Sequence, residues 1–227
     1  MDNVSSHSLF HFTHNLGTLE KILRGDGLRY SLIGEKIPGT KLMYIVSSIS
    51  LCNIPLSLVS EHIDWYGSYA IGIKPGFVKQ HGGTPLVYAH SSTPFLTKER
   101  GDAKEAFYNN NPLTPFIKQT MGYQHKYQCK KNKQKAYYDE REWRIIDPDS
   151  QIQIHRFEND KEFSQNIRDY KVSQTKYNYL KIPLSEIDYI IIKTQSELDS
   201  LKGWFTGEIL HDLLFKVIIY NKIAKEL

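Results

Sequence analysis

The stretch SLFHFTHNLGTLEKILRGDGLRY (residues 8–30) sets the start of the fold, because a strand pattern there runs directly into a helix pattern. In an extended chain, successive side chains point to opposite faces. Phe10 and Phe12 therefore share one face of the predicted strand, and His11 and Thr13 share the other. The aromatic pair is expected to anchor the strand in the core, which leaves His11 and Thr13 to line whatever lies across the second face.

The residues after this strand predict a short amphipathic helix. Asn15 suits the N-cap, because its side chain can accept a hydrogen bond from an unpaired backbone N–H of the first turn. Four apolar residues then follow at helical spacing: Leu16, Leu19, Ile22 and Leu23. Gly25 and Gly27 end the pattern, since glycine is favoured just beyond a helix C-terminus.

Strand patterns dominate both ends of the remaining chain. Strands are predicted in these stretches: 42–51 (LMYIVSSISL), 68–75 (SYAIGIKP), 84–90 (TPLVYAH), 140–147 (EREWRIID), 177–193 (two strands around a turn) and 216–223 (KVIIYNKI). Helices are predicted from Ser57 to Gly67 and over 196–215, the second with a break near Gly203. Strands and helices do not alternate regularly, so the chain is expected to be one α+β domain, residues 1–227, with a mixed or antiparallel sheet.

Composition excludes several classes of protein. The chain has 227 residues, 24% of them charged, with a net charge of +4 and a pI near 8.8. Its apolar runs are far shorter than the ~20 residues that span a bilayer, and no secretory signal pattern opens the sequence. Cys52 and Cys129 lie far apart and form no metal or disulfide pattern. A cytoplasmic protein without a membrane partner is predicted.

A polar extension at about 91–136 interrupts the strand pattern. Helices are predicted within it over Asp102–Tyr108 and Leu113–Tyr123, and the rest is expected to be irregular. From Lys118 to Arg144 the chain has eight Lys or Arg residues against three acidic ones. This segment is either a solvated loop or an edge that contacts nucleic-acid phosphates, with interleaved tyrosines able to stack on bases. The predicted phosphate contacts are Lys130, Lys131 and Lys133.

Glu142 is the most unusual residue of the predicted strands. In YYDEREWRII (residues 137–146) it shares a strand face with Glu140 and Arg144, while Trp143 and Ile145 face a core. A carboxylate within a strand is disfavoured. It is either one half of a surface ion pair with an arginine or a group aimed into a cleft, where it can steady a developing positive charge.

Aromatic residues mark a second candidate region, HIDWYGSYAIGI (residues 62–73). Tyr66 and Tyr69 flank a glycine break, and the small Gly72 on the following strand would let a flat ligand approach the backbone. The alternative is that these aromatic residues simply pack in the core. His11 has a similar alternative as a structural histidine. His7, His11 and His14 could suggest a metal site, but a strand places His14 on the opposite face from His11, and no cysteine or acidic partner is nearby, so no metal site is predicted.

Three stretches, taken in order, resemble the abortive phage-infection family AbiGi: HFTHNLGTLEKILRGDGL, SLCNIPLSLVSEHIDWYGSYAIGI and EREWRII. The resemblance extends from about residue 8 to residue 192 and weakens over the extension. Its most specific part is the central stretch, 52–73. Proteins of this type have been labelled antitoxins, so the resemblance also implies a cognate protein partner.

The opening stretch is more distantly similar to the DarT-like ADP-ribosyltransferases. This similarity implies a split mixed or antiparallel sheet with flanking helices, NAD as the substrate and Glu142 as the catalytic residue. It also implies NAD contacts from His11 and Thr13 and nicotinamide stacking by Tyr66 or Tyr69. Ser47 or Ser48 would supply a hydroxyl, with Ser48 preferred as a cofactor contact. An oxocarbenium-like transition state, as in glycoside cleavage, needs such a carboxylate.

The leading hypothesis from the sequence is therefore an NAD-dependent ADP-ribosyltransferase acting as a toxin of a phage-defence, toxin–antitoxin system. Its expected acceptor is a nucleic acid, with RNA or single-stranded DNA favoured over protein. Two alternatives stay open. The chain could be an antitoxin, a binding module that neutralises a partner. It could also be a metal-independent ribonuclease that uses His11 and Glu142 as general base and acid.

Overall fold

The longest strand, β4 (Leu42–Cys52), runs through the centre of the molecule, and every residue in it except Ser50 is buried. Its β-branched and apolar side chains suit a strand with neighbours on both edges and layers on both faces. The computed structural model describes residues 6–93, 107–109, 111–126, 131–173 and 176–223.

The other elements follow in chain order. The strands are β1 (Leu9–Thr13), β2 (Leu28–Arg29), β3 (Ser31–Lys36), β5 (Tyr69–Ile73), β6 (Thr84–Pro85), β7 (Val87–Ala89), β8 (Ile117–Gln119), β9 (Met121–Lys126), β10 (Lys131–Ala136), β11 (Glu142–Ile146), β12 (Gln153–Arg156), β13 (Tyr179–Leu180), β14 (Ile187–Ile192) and β15 (Val217–Ile219). The α-helices are α1 (Leu16–Leu23), α2 (Val59–Tyr66), α3 (Pro75–Gln80), α4 (Asp160–Ser173), α5 (Gln195–Trp204), α6 (Gly207–Leu214) and α7 (Tyr220–Ile223). Short 3-10 helices lie at Leu56–Leu58, Thr114–Phe116, Tyr137–Glu140 and Leu184–Glu186.

A nine-stranded mixed sheet is built around β4. Its main path runs β15–β14–β5–β1–β4–β11–β6, and β3 and β12 also pair with β4. β14 and β15 are parallel, whereas the pairs that join β4 to its neighbours are antiparallel. The predicted α+β class with a mixed sheet is confirmed.

One edge of β4 faces two different strands, and the sheet splits between them. Ser48 is the last β4 residue that pairs with β3, and Cys52 pairs with Phe10 of β1. On the opposite edge, β11 pairs along the same part of β4, from Ser48 to Cys52. Within the described chain, Ile49 to Leu51 thus have a strand partner on the β11 edge and none on the edge of β1 and β3.

Helices cover both faces of the sheet next to this split. Leu9 of β1 packs in one cluster with Leu19 and Ile22 of α1, whereas Phe10 packs in another with Ile63 of α2. Because neighbouring residues of a strand face opposite ways, α1 and α2 lie on opposite faces. The predicted strand at 8–13, the helix after it and the core role of Phe10 are confirmed.

The extension differs from its prediction. A helix over Leu113–Tyr123 is wrong, because that stretch holds a 3-10 turn, β8 and the start of β9. The hydroxyl of Tyr44 donates to the carbonyls of Pro115 and Ile117, and β8 pairs with β7, so tertiary contacts hold the segment extended. The described part of 91–136 contains strands and is not irregular. Residues 102–106, most of the other predicted helix, lie outside the described residues.

No pattern in the sequence predicts β3, β12 or α4. β3 contains Gly34 and Glu35, two residues that strands disfavour, and all six of its residues are half-buried. Pairing with β4, and not the β-propensity of its own residues, therefore makes this segment a strand. β3 is important for function because it brings Glu35 to the cavity of the candidate site.

Candidate functional site

The imidazole of His11 lies at the split in the sheet. Its Nδ1 donates to the carbonyl of Ser50 at 3.0 Å, so a side chain satisfies a β4 acceptor that no strand on that edge reaches. Burial lowers the pKa of His11, and the Ser50 carbonyl opposes this only in part. The ring is therefore neutral near pH 7, with its proton on Nδ1.

A cavity of about 320 Å³ opens at the same place. His11, Tyr66 and Glu142, which come from β1, α2 and β11, all line it. The remaining lining residues are Phe10, Phe12, Ile33, Glu35, Ser50, Leu51, Cys52, His62, Lys118, Glu140 and Arg144. Three sequence-predicted residues that lie far apart in the chain are thus brought to one cavity.

Both carboxylate oxygens of Glu142 are already engaged. Oε1 accepts from Ser50 Oγ at 2.7 Å and from Arg144 Nη2 at 2.8 Å, and Oε2 accepts from Lys118 Nζ at 2.7 Å. Burial by itself raises the pKa of Glu142, but the charges of Arg144 and then Lys118 outweigh it and lower the pKa to about 2. Glu142 is therefore ionised and fully paired, and it does not belong to a surface ion pair.

Arg144 is completely buried and connects three elements to the site. Its Nη1 donates to Tyr44 Oη and to the carbonyl of Pro115, both at 2.7 Å, and its Nη2 donates to Glu35 at 3.1 Å. Burial disfavours its charge, but Glu142 more than compensates and raises the pKa of Arg144. A planar guanidinium suits this position, because it can serve several acceptors at fixed angles.

A second ion pair lies beside the first. Lys135 Nζ contacts Glu140 Oε1 at 2.7 Å and Tyr66 Oη at 3.0 Å, and Tyr66 also donates to Glu140. Lys118 bridges the two pairs, because its ammonium reaches Glu140 Oε2 at 2.9 Å as well as Glu142. Lys118 and Lys135 come from β8 and β10, so the extension supplies two of the cations of this site.

The cluster formed by Glu35, Glu140, Glu142, Lys118, Lys135 and Arg144 is called the charge cluster below. It holds three carboxylates and three cations, so its formal charges cancel. Lys118, Lys135 and Arg144 of the predicted basic segment therefore point inward, because buried carboxylates need partners. At these three positions the segment is neither the predicted solvated loop nor a phosphate-binding edge.

His62 stands next to the charge cluster on α2. It is only 6% exposed, and its Nε2 has no hydrogen-bond partner in the described part of the chain. Burial and, to a smaller extent, the positive charge of Lys135 lower the pKa of His62 to about 4, although the charge of Glu140 opposes them. Its ring lies between those of Phe12 and Tyr66, with centroids 5.7 and 5.6 Å away.

Other predicted site residues are not on the cavity. Thr13 and Ser48 are absent from its lining, and the hydroxyl of Ser48 is buried without a hydrogen-bond partner among the described residues. Tyr69 donates to Glu197 at 2.7 Å, at the start of α5. Of the two tyrosines predicted to stack on nicotinamide, Tyr66 lines the cavity and Tyr69 does not.

The structure describes two of the three predicted phosphate contacts, Lys131 and Lys133. Lys130 lies outside the described residues, and Lys131 begins β10 opposite Lys126 in the hairpin register. Lys133 is exposed on the same strand. No described contact links these lysines to the cavity.

Sequence reasoning missed Glu35, His62 and the inward direction of Lys118, Lys135 and Arg144. The strand pattern places Glu140 and Arg144 on the face of Glu142, and this shared face is the sequence signal that indicates the cluster. Glu140, however, ends a 3-10 helix and does not lie on the strand. Arg141 follows it in the left-handed conformation, with φ of 44°, and this turn directs Glu140 back toward Lys118 and Lys135.

The residues of the cavity do not fit NAD as they stand. An anionic diphosphate needs cations or N–H groups that are not already paired. Both lining cations, Lys118 and Arg144, are bonded to carboxylates. The negative charge of the Glu142 carboxylate, in turn, is already balanced by Lys118 and Arg144, and its Oε1 accepts from both Ser50 and Arg144.

Comparison with known proteins gives one result. The family described as "Putative abortive phage resistance protein AbiGi, antitoxin" matches residues 43–193. No curated protein and no solved structure gives a significant match. The opening stretch, on which the similarity to DarT-like enzymes depends, lies outside the matched range. In the described part of the chain, no helix is long and apolar enough to cross a membrane. The family match covers about two thirds of the 227 residues, and the chain therefore belongs to the AbiGi family of abortive phage resistance proteins.

Proposed function

We propose that this chain acts in abortive phage resistance as an antitoxin, a protein that binds and neutralises a partner, and that the charge cluster is structural. The observation that carries the proposal is the state of Glu142. Its two oxygens accept hydrogen bonds from Ser50, Arg144 and Lys118, and its charge is balanced. The family description, antitoxin, agrees with this proposal.

A paired carboxylate is poorly suited to the chemistry expected of a transferase. Stabilising an oxocarbenium-like transition state requires a negative charge that is free to interact with the reacting carbon. Here the ammonium and the guanidinium already hold that charge, at contact distances below 3 Å. The ribonuclease alternative is also disfavoured, because a carboxyl group with a pKa near 2 has no proton to donate as a general acid near pH 7.

The test compares the effect of expression with the chemistry of the purified chain. Wild type and Glu142→Gln are expressed separately in a host that lacks phage-defence partners, and both purified proteins are incubated with labelled NAD and with RNA. We expect normal growth in both cultures, no label transfer and no RNA cleavage. Growth arrest by the wild type that Glu142→Gln relieves would overturn the proposal, provided that both proteins are folded by circular dichroism.

A second candidate is the NAD-dependent ADP-ribosyltransferase with a nucleic-acid acceptor. One observation favours it: His11, Tyr66 and Glu142 line one cavity at a split in the sheet. This candidate requires Lys118 to leave Glu142, since the ion pair otherwise occupies the carboxylate. Partner binding or phage infection would then have to move β8.

The Lys118→Met variant tests this second candidate directly, because methionine keeps much of the side-chain volume and removes the ammonium. If the chain is a latent transferase, this variant should consume NAD or modify RNA or single-stranded DNA, whereas the wild type does not. Lys79→Met, which removes an exposed lysine of α3, is the matched control. A folded Lys118→Met protein that leaves NAD intact with every acceptor excludes the candidate.

A further inference from the structure

The electrostatics of the cavity select for an uncharged ligand. Each lining cation contacts two carboxylates: Lys118 contacts Glu140 and Glu142, and Arg144 contacts Glu35 and Glu142. The other oxygen of Glu140 is paired with Lys135. A phosphate or carboxylate placed here would lose its hydration without gaining an unpaired cation, and an ammonium would find no unpaired carboxylate. Such a transfer of charge into a confined site is unfavourable.

The walls of the cavity select for a flat ligand. Phe12 of β1 and His62 and Tyr66 of α2 line it, and their rings follow one another at centroid distances of 5.7 and 5.6 Å. His62 and Tyr66 are four residues apart, so one face of α2 presents both rings. Aromatic rings bind other flat rings by offset or edge-to-face contacts.

One unused acceptor specifies a hydrogen-bonding group on that ligand. Nδ1 of His11 donates to the Ser50 carbonyl, which can only accept, so in the neutral ring Nε2 is the acceptor. Among the residues that the structure describes, none donates to Nε2, and His11 lines the cavity. A ligand with a ring N–H or an amino group could donate a hydrogen bond to this nitrogen.

We propose that the cavity at the split in the sheet binds an uncharged, planar heteroaromatic molecule of nucleobase size, stacked against Phe12, His62 and Tyr66 and donating an N–H to His11. This binding site is a property of the chain in addition to partner neutralisation. It does not depend on whether the chain is an antitoxin, because the growth assay tests one proposal and direct ligand binding tests the other.

The experiment measures binding of matched small molecules to the full chain by calorimetry and by ligand-observed NMR. Adenine and uracil are the uncharged probes. 1,3-Dimethyluracil keeps the flat ring but lacks both N–H donors, and orotate adds a carboxylate to the uracil ring. We expect adenine or uracil to bind, with 1,3-dimethyluracil and orotate each weaker than uracil by about tenfold or more.

Two variants locate the site. Phe12→Leu removes a stacking ring, and His11→Phe keeps a ring but removes its nitrogens, so each should weaken binding of the uncharged probe by about tenfold. His81→Phe, at a histidine whose Nδ1 also contacts a carbonyl but which does not line the cavity, is the control. If His11→Phe does not fold, the comparison of uracil with 1,3-dimethyluracil on the wild type still tests the hydrogen bond.

Three outcomes would overturn the proposal. The first is the absence of binding of both adenine and uracil at millimolar concentration. The second is equal or tighter binding of orotate, which would show an unpaired cation in the site. The third is binding that Phe12→Leu and His11→Phe leave unchanged, which would place the ligand elsewhere.

Discussion

At the scale of single residues, Arg144 holds the charge cluster together. It is completely buried, and it contacts Glu142, Glu35, Tyr44 and a backbone carbonyl at once. A buried ion pair contributes little net stability relative to apolar residues of the same shape. Removing one partner is different, because it leaves the other charge buried and unpaired.

Arg144→Met should therefore lower the free energy of unfolding by about 3–5 kcal/mol. Lys202→Met provides the comparison, since Lys202 forms a pair with Asp199 in which both side chains are substantially exposed. That pair should contribute at most about 1 kcal/mol. Urea titration of both variants checks the difference. If both variants lost a similar amount of unfolding free energy, the charge cluster would have to be accessible to water, contrary to its burial in the structure.

His62 gives the protein a pH dependence of its own. Its pKa is lowered from 6.5 to about 4 by burial, with a contribution from Lys135. Glu140, which also faces it, acts in the opposite direction without reversing the shift. Between pH 6.5 and 4 the unfolded chain binds a proton at this residue and the folded chain does not. With respect to this residue, the free energy of unfolding is therefore highest above pH 6.5, and it decreases as the pH falls toward 4.

His62→Leu should flatten the dependence of the free energy of unfolding on pH in this window. The slope should fall by up to about 1.4 kcal/mol per pH unit, the value for one proton. His90→Leu, at an exposed histidine, serves as the control and should leave the slope close to that of the wild type. Urea titrations at several pH values from 4 to 7 provide the measurement. An unchanged slope in His62→Leu would contradict the assignment.

At the scale of elements, the connection between α2 and β5 fixes how the aromatic wall meets the sheet. Gly67 ends α2 with a φ of 103°, a conformation that residues with a Cβ rarely adopt. A Cβ there would also lie 2.4 Å from the carbonyl oxygen of Thr13. Close contact of this turn with the end of β1 keeps His62 and Tyr66 over Phe12.

Gly25 offers a matched comparison for this turn. It has almost the same φ, 104°, but a Cβ built on it would meet no atom within 4 Å. Gly25→Ala should cost about 1–2 kcal/mol from backbone strain alone. Gly67→Ala should cost clearly more, because steric overlap with β1 adds to the same strain. Thermal unfolding of the two variants tests this, and equal losses would show that β1 moves aside at little cost.

The same scale shows why some elements were predicted and others were not. The alternating Phe10 and Phe12 and the helical stripe ending at Leu23 are local signals, so β1 and α1 follow from the sequence. β8 has no such signal. It becomes a strand because β7 lies beside it and because Tyr44 holds two carbonyls of the segment, and both contacts cross long distances in the chain.

At the scale of the whole molecule, β4 determines where stability is concentrated. Tyr44 and Ile45 have a paired strand on each edge, β3 on one and β12 on the other. β15, in contrast, is a three-residue edge strand that pairs only with β14 in the described sheet. The free energy required to expose a backbone amide to hydrogen exchange is larger where the strand is buried and paired on both edges.

Hydrogen exchange should therefore rank these strands. The amides of Tyr44 and Ile45 are expected to exchange only through global unfolding, with protection close to the full free energy of unfolding. Those of β15 should exchange by local opening, at least about 100-fold faster. Mass spectrometry on peptic fragments gives the comparison. Faster exchange in β4 than in β15 would show that the central strand does not organise the sheet.

The sequence by itself determined the elements with strong local patterns and the α+β class. It also identified His11, Tyr66 and Glu142 as candidate site residues. It also carried the resemblance that places the chain in the AbiGi family. Periodicity and capping act over a few residues, and for that reason they can be interpreted without a fold.

Only the tertiary structure decided that Glu142 is buried and that Lys118 and Ser50 join Arg144 as its partners. Its partners, Lys118, Ser50 and Arg144, belong to three different strands, and the position of Lys118 depends on an extension whose strands form through distant contacts. Charge counted along the chain made Lys118 and Arg144 appear to be parts of a basic surface. The need of a buried carboxylate for compensating charge turns them inward, and that need arises only once the chain has folded around it.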